Sequence, residues 1–287
     1  MTTAPLPATG PALLLRALFK PASAASAASS EALATSYLLQ GIDAGELRRY
    51  NALLGFASDA LPVTFYYLLV QRAHLGTLLA PAFPFRIAGM VHVENTITER
   101  RALAAGSPLE LVTTVRIEPP TENGARYCEL HTAGMQAGEV VFECHSRYLA
   151  VRGQRRTGQG GQPPAAAAAT HDGQASLLGR WTLAHSAGRA YASVSGDWNP
   201  IHVHALTARP LGFPSAIAHG MYSYARTLAS LGPRLPGAGL TSRVWFRKPV
   251  RLPSSVRLRT AFEPSRTLSV LEQAKGEIEH AVIENTW

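Results

Sequence analysis

The run "LPVTFYYLLVQRAHLGTLLA", Leu61 to Ala80, is apolar on every turn of a helix and not along one stripe. A helix of that kind needs cover on all sides. Its most apolar part, Ala60 to Val70, stops at Gln71-Arg72 and is too short to cross a bilayer. The cover must therefore come from the chain itself. "FRIAGMVHVENTITERRALAAGSPLELVTTVRIEP" follows, alternating like strands around a Gly-Ser-Pro turn, and "ARYCELHTAGMQAGEVVFECHSRYLAV" adds further strand-like runs. The same order recurs later. "AHGMYSYARTLASLGP", Ala218 to Pro233, reads as a helix ending near Gly232-Pro233. After it come "GLTSRVWFRKPVRLPSSVRLRTAFEP", again strand, Pro-bearing turn and strand, and the closing run "LSVLEQAKGEIEHAVIENTW". A central helix wrapped by an antiparallel sheet, stated twice, is an α+β pattern and suggests an old duplication.

Between the two statements lies "RGQRRTGQGGQPPAAAAATHDGQAS", rich in Gly, Gln, Pro and Ala and without apolar periodicity. It reads as a connector. Its "GQGG" is no phosphate loop, because Gln162, Pro163 and Pro164 follow where a helix would have to start. The expected organisation is an N-terminal repeat over 1–151, a linker over 152–178 and a C-terminal repeat over 179–287. A second low-complexity patch, "PASAASAASSEALA", reads as linker or weak helix. The N-terminal Leu run has no charged leader and makes a poor signal peptide. Two cysteines, Cys128 and Cys144, are too few for a disulfide framework, so the expectation is a soluble cytoplasmic protein with reduced thiols.

The net charge of +8 asks for a partner. Arg243, Arg247, Lys248, Arg251, Arg257, Arg259 and Arg266 crowd one segment against the single acid Glu263. Such a stretch suits an anionic carrier protein, the phosphates of a nucleotide-bearing ligand, or solvated strand edges. No nucleic-acid motif accompanies it, so nucleic acid is not expected.

The chemistry concentrates in "VSGDWNPIHVH". Pro200 disfavours helix at Asn199, Asn199 is a good N-cap, and Pro200 suits the first helical position. Ser195-Gly196 supplies the bend that brings the chain in. Asp197, just outside the cap, and His202, in the first turn, can therefore point into one space. The positive end of the helix favours an ionised Asp197 and a neutral His202. That pair can hold one water and move its protons. Other readings stay open: a capped turn with an exposed His, or a metal site using Asp197, His202, His204 and His219. A serine nucleophile at Ser195 lacks the preceding glycine of an elbow. Downstream, "IAHGM" opens the second central helix. Gly220 leaves a backbone N–H approachable there, an oxyanion site beside His219, or else it only allows close packing.

"YASVSGDWNPIHVHALTARPLGFPSAIAHGMYSYARTLA", Tyr191 to Ala229, closely resembles the signature of MaoC-like (R)-specific enoyl-CoA hydratases/dehydratases. The resemblance implies a double hotdog fold in which the first repeat has lost the catalytic core. It implies Asp197 and His202 as the catalytic dyad, Asn199 and Ser195 in support, and Gly220 with His219 at the thioester carbonyl. The reaction it implies is reversible syn addition of water to a trans-2-enoyl thioester, giving the (R)-3-hydroxyacyl thioester. No metal or other cofactor is implied. The substrate would be a small acyl thioester of CoA or of an acyl carrier protein, with Arg243, Arg247, Lys248 and Arg251 as candidates for the phosphates or the carrier; a homodimer is left open. The family often has an acid two residues after the dyad His, where this chain has His204. A hotdog thioesterase and a non-catalytic acyl-binding subunit are the competing readings.

Overall fold

The computed structural model of the 287-residue chain describes residues 3–23, 33–57, 59–153, 175–276 and 278–287. The chain forms two compact units, one from Met1–Asp43 with Phe65–Gly160, the other from Ala44–Thr64 with Gly161–Trp287.

Unit one contains β1 (Thr3–Pro5), α1 (Pro11–Phe19), β2 (Leu33–Leu39) and the bulk of α3 (Val63–Leu78). It continues with β3 (Val91–Glu99), β4 (Leu109–Ile117), β5 (Arg126–Gln136) and β6 (Glu139–Val151). The sheet runs in the order β1-β2-β4-β5-β6-β3, antiparallel except for the parallel β1–β2 pair. Its inner face holds α3, in which every residue from Phe65 to Val70 is buried, as an all-round apolar run requires. Tyr66 stacks on Phe142 of β6 at 4.7 Å and donates its hydroxyl proton to Glu99 at 2.5 Å. Two turns further, His74 reaches Thr132 of β5 at 3.1 Å.

Unit two contains α2 (Ala44–Leu54), β7 (Ser176–Leu183), α4 (Ala187–Ser195), α5 (Pro200–Val203), α6 (Ala205–Ala208) and α7 (Gly220–Leu231). Its remaining strands are β8 (Thr241–Phe246), β9 (Ser254–Glu263), β10 (Arg266–Gln273) and β11 (Glu279–Thr286). The sheet order is β7-β9-β10-β11-β8, all antiparallel. This is the order β2-β4-β5-β6-β3 of unit one, strand for strand. The likeness extends to single side chains. Thr113 on β4 bonds Thr132 on β5 at 2.8 Å, and the corresponding strands β9 and β10 pair Thr260 with Ser269 at 2.9 Å. Both hydroxyl pairs are buried directly opposite each other in register, where each satisfies a polar group that the core would otherwise penalise.

Two features shift the organisation read from sequence. β7 begins at Ser176, so the last residues of the 152–178 linker are strand, while 154–174 lie outside the described residues. Helix α2, in the N-terminal half of the sequence, belongs to unit two. Its buried residues Leu47, Tyr50, Asn51 and Leu54 form one stripe, and that stripe faces α4 and α7. Of the "PASAASAASSEALA" patch, 24–32 lie outside the described residues, and its last two residues, Leu33 and Ala34, open β2. Among the described residues no helix is long and apolar enough to cross a membrane. Cys128 and Cys144 are both buried free thiols.

Candidate active site

The loop between α4 and α5 is built by three local rules. Gly196 ends α4 in the left-handed region at φ 73°, where its N–H reaches back to the carbonyl of Ala192 at 2.8 Å. Ser195 and Asp197 then close the turn: the Asp197 N–H donates to Ser195 Oγ at 3.2 Å, and the Asn199 N–H donates to Asp197 Oδ1 at 3.2 Å. Asn199 caps α5, its Oδ1 accepting from the Ile201 N–H at 3.3 Å, with Pro200 in the first helical position.

The turn leaves Asp197 partly exposed, with 27% of its side chain accessible, while His202 is buried. The Nδ1 of His202 lies 2.8 Å from the carbonyl oxygen of Ile217. A carbonyl only accepts, so Nδ1 carries the proton and Nε2 keeps the lone pair. Burial holds the pKa of His202 below the usual imidazole value, against the opposing pulls of Asp197 and the Ile217 carbonyl. The neutral ring anticipated from the helix end is thus owed chiefly to desolvation.

His219 stacks on His202, ring centroids 3.7 Å apart and planes 26° from parallel. Its Nε2 donates to the backbone carbonyl of Asp197 at 2.9 Å, and the Asp197 carboxylate stands 3.8 Å away. Burial, and then the neighbouring His202, bring the His219 pKa down to about 3. Its Nδ1 is buried without a hydrogen-bond partner among the described residues, which suits a lone pair and would not suit a proton. Tyr191 of α4 closes the far side of His219 at 4.8 Å. Two stacked neutral imidazoles and one carboxylate result. One ligand atom from each of Asp197, His202 and His219 falls within 4.8 Å of the others, a span that one water molecule bridges and that a metal ion also fits. His204 is not among them: it is exposed and caps α6, its Nδ1 accepting from the Leu206 N–H at 3.2 Å.

Gly220 starts α7, so its N–H belongs to the first turn, where no carbonyl further back in the helix can accept. A Cβ there would stand 2.7 Å from the ring of Phe246, so glycine is what lets β8 and the helix start meet. The approach to the helix is itself pinned. Ala218 N–H donates to Val250 O at 2.9 Å, Leu252 N–H to Ala216 O at 2.8 Å, and Ile217 N–H to Ile201 O at 3.0 Å. Of the basic candidates, Arg243 lies over the Trp245 ring at 4.5 Å, and Lys248 and Arg251 are exposed. Arg247 differs, because its Nε and Nη2 are buried without a hydrogen-bond partner among the described residues.

Sequence reasoning missed Gly188, in the first turn of α4. A Cβ at that position would lie 1.9 Å from the carbonyl oxygen of His202, inside any tolerable contact. The available signal was a glycine within a helical segment, which costs about 1 kcal/mol relative to Ala. It went unread because only the tertiary fold reveals what passes over it.

Unit two's five antiparallel strands repeat the order of β2-β4-β5-β6-β3 in unit one, each set accompanied by a central helix, and this is the arrangement of a double hotdog. Residues 168–285 match the model described as "MaoC like domain". The chain is 32% identical over 240 residues to 3-hydroxyacyl-thioester dehydratase X of Mycobacterium tuberculosis, covering 82% of each. It therefore belongs to the MaoC-like dehydratase family. Among solved structures, HtdX of M. tuberculosis superposes with a TM-score of 0.71 at 26% identity, over 87% of this chain and 98% of that one. A conserved M. tuberculosis protein with a double hotdog fold shares the architecture at a TM-score of 0.55 and 11% identity, over 87% and 94% of the two chains.

Two outcomes are expected. Gly188→Ala displaces the His202 peptide, and a shift near 1 Å lowers kcat roughly 100-fold with little change in KM. Steady-state kinetics on variant protein of native circular dichroism check this. Second, the folded His219 stays neutral down to about pH 3, whereas in the unfolded chain it takes a proton below its ordinary value of 6.5. The unfolded state then binds more protons, so stability falls as pH drops through that window and is recovered above it. His219→Gln removes up to one proton from the slope, about 1.4 kcal/mol per pH unit, read from denaturant midpoints between pH 6 and 4.

Proposed function

We propose that the chain interconverts trans-2-enoyl thioesters and (R)-3-hydroxyacyl thioesters by adding or removing water. The observation that carries this reading is the fixed tautomer of His202. With Nδ1–H committed to Ile217, the lone pair is on Nε2, in a ring that has one nitrogen within 4.8 Å of an Asp197 carboxylate oxygen. A water held by both groups has one acceptor for its proton and one to orient it. In the hydration direction its O–H bond breaks toward Nε2 and its oxygen bonds to the β-carbon. The α,β double bond becomes an enolate, whose oxygen the Gly220 N–H stabilises at the start of α7. The α-carbon then takes the proton back from the same pair. Delivery of oxygen and hydrogen from one side accounts for syn addition. The carbon–sulfur bond stays intact, and no metal or redox cofactor takes part.

The thioester carrier is the finer question. Arg247 directly follows Phe246, the residue packed on Gly220, and offers two buried guanidinium nitrogens, Nε and Nη2, without a partner among the described residues. That suits a phosphate of CoA or of a carrier-borne phosphopantetheine, with Arg243, Lys248 and Arg251 adding positive charge around it. We place the reaction in the cytoplasm, in keeping with two buried reduced cysteines. The partners proposed are the acyl thioester, an acyl carrier protein where the substrate is protein-borne, and a second copy of the chain. For that copy the edge strand β7, with Leu177 half-exposed, supplies an apolar margin.

Asp197→Asn and His202→Ala should each lower turnover of crotonyl-CoA or a longer enoyl-CoA by about 100- to 10,000-fold with the fold retained. Enoyl absorbance should change in the wild type without release of free thiol; thiol release from a saturated acyl-CoA would instead establish the thioesterase. Arg247→Ala should raise KM for the CoA thioester about 10-fold or more and leave kcat within about two-fold, since a phosphate contact remote from the reacting carbons is made equally before and during reaction.

A further inference from the structure

A second cluster of titratable side chains lies in unit one, on the face of the sheet turned away from α3. His131 of β5 and His145 of β6 stand directly opposite each other in register, their ring centroids 4.3 Å apart. Glu143 is two residues before His145 and so shares its face. Its Oε1 lies 3.3 Å from the Nε2 of His131. Glu129, two residues before His131, places Oε1 2.9 Å from the Nδ1 of His145. The dyad reaction uses none of these groups.

We infer that His131, His145 and Glu143 form a binding site for a first-row transition-metal ion of the zinc type. One ligand atom from each of the three lies within 4.8 Å of the others. Two imidazoles and a carboxylate leave a fourth position for water and favour zinc, nickel or copper over magnesium or calcium. The surroundings support the site from behind. The ionised Glu129 accepts the Nδ1–H of His145, leaving the lone pair on Nε2, the carboxylate–histidine arrangement that orients metal ligands. Arg100 occupies Glu143 Oε2 through two N–H groups at 2.9 and 2.6 Å, which leaves Oε1 turned toward His131. Arg116 holds the outer oxygen of Glu129 through Nη2 alone. The two arginines balance the two carboxylates, so the cluster is close to neutral before an ion arrives. His131 Nε2 is buried and has no well-directed hydrogen bond among the described residues, the condition of a nitrogen kept for another ligand. His145 is half-exposed, which gives an ion its way in. An ion bound there ties β5 to β6 across the middle of their pairing.

The test is a zinc titration of the 287-residue chain against a chromogenic chelator at neutral pH. The expected result is one zinc equivalent that both His131→Ala/His145→Ala and His131→Gln/His145→Gln abolish. Glu129→Gln should weaken that equivalent roughly 10- to 100-fold, as loss of an orienting carboxylate does. Magnesium should not compete, and the double variants should hydrate enoyl-CoA at the wild-type rate. The proposal is overturned if both double variants bind zinc with unchanged stoichiometry and affinity. It is equally overturned if the equivalent disappears with His202→Ala, which would assign the ion to the Asp197–His202–His219 cluster.

Discussion

One hydrogen bond, from His202 Nδ1 to the Ile217 carbonyl, fixes the tautomer of the imidazole on which the rest of the cluster is arranged. Without it the ring could turn, or carry its proton on the other nitrogen, and Nε2 would hold no defined lone pair. The bond is only as firm as the carbonyl that accepts it. Ile217 is held by its own N–H on Ile201, and its neighbours Ala218 and Ala216 are zipped to Val250 and Leu252. A loop beyond the end of β8 thus sets the tautomer of a histidine about fifty positions earlier in the chain. Ile217 thus acts on the site only by orienting His202.

Burial does the electrostatic work. His202 and His219 lie face to face, and a proton on either would be desolvated and repelled by the other. Asp197 opposes this only in part, because a quarter of its side chain meets solvent. The outcome is a carboxylate beside uncharged imidazoles at neutral pH, the state acid–base chemistry on water needs. The same arrangement makes the site a source of acid sensitivity for the fold.

The two repeats share one architecture and differ in one turn. Unit one keeps the strand order and even the cross-strand hydroxyl pair, Thr113 with Thr132 answering Thr260 with Ser269. It has no Asp-Asn-Pro-His turn. Unit two reaches back into the N-terminal sequence for α2, whose Leu54 carbonyl accepts from Arg226 of α7 at 2.9 Å. An amphipathic helix goes wherever its stripe is buried, and position along the chain does not decide that.

Local rules made much of this legible. Pro200, Asn199 and Gly196 have backbone preferences that act within a few residues, so the capped turn presenting Asp197 and His202 could be read directly. The all-round apolar run of α3 and the alternating strands declared helix and sheet in the same local way. Other features depend on partners distant in sequence and left no local trace. Gly188 passes beneath the His202 carbonyl, Ile217 offers its oxygen, His219 stacks and donates to Asp197, and α2 changes units. Helix caps and periodicity are properties of neighbours along the chain, whereas tautomer, burial and close approach are properties of neighbours in space. Sequence alone therefore determined that a carboxylate and an imidazole would share a turn, and only the tertiary structure decided which nitrogen would keep its lone pair.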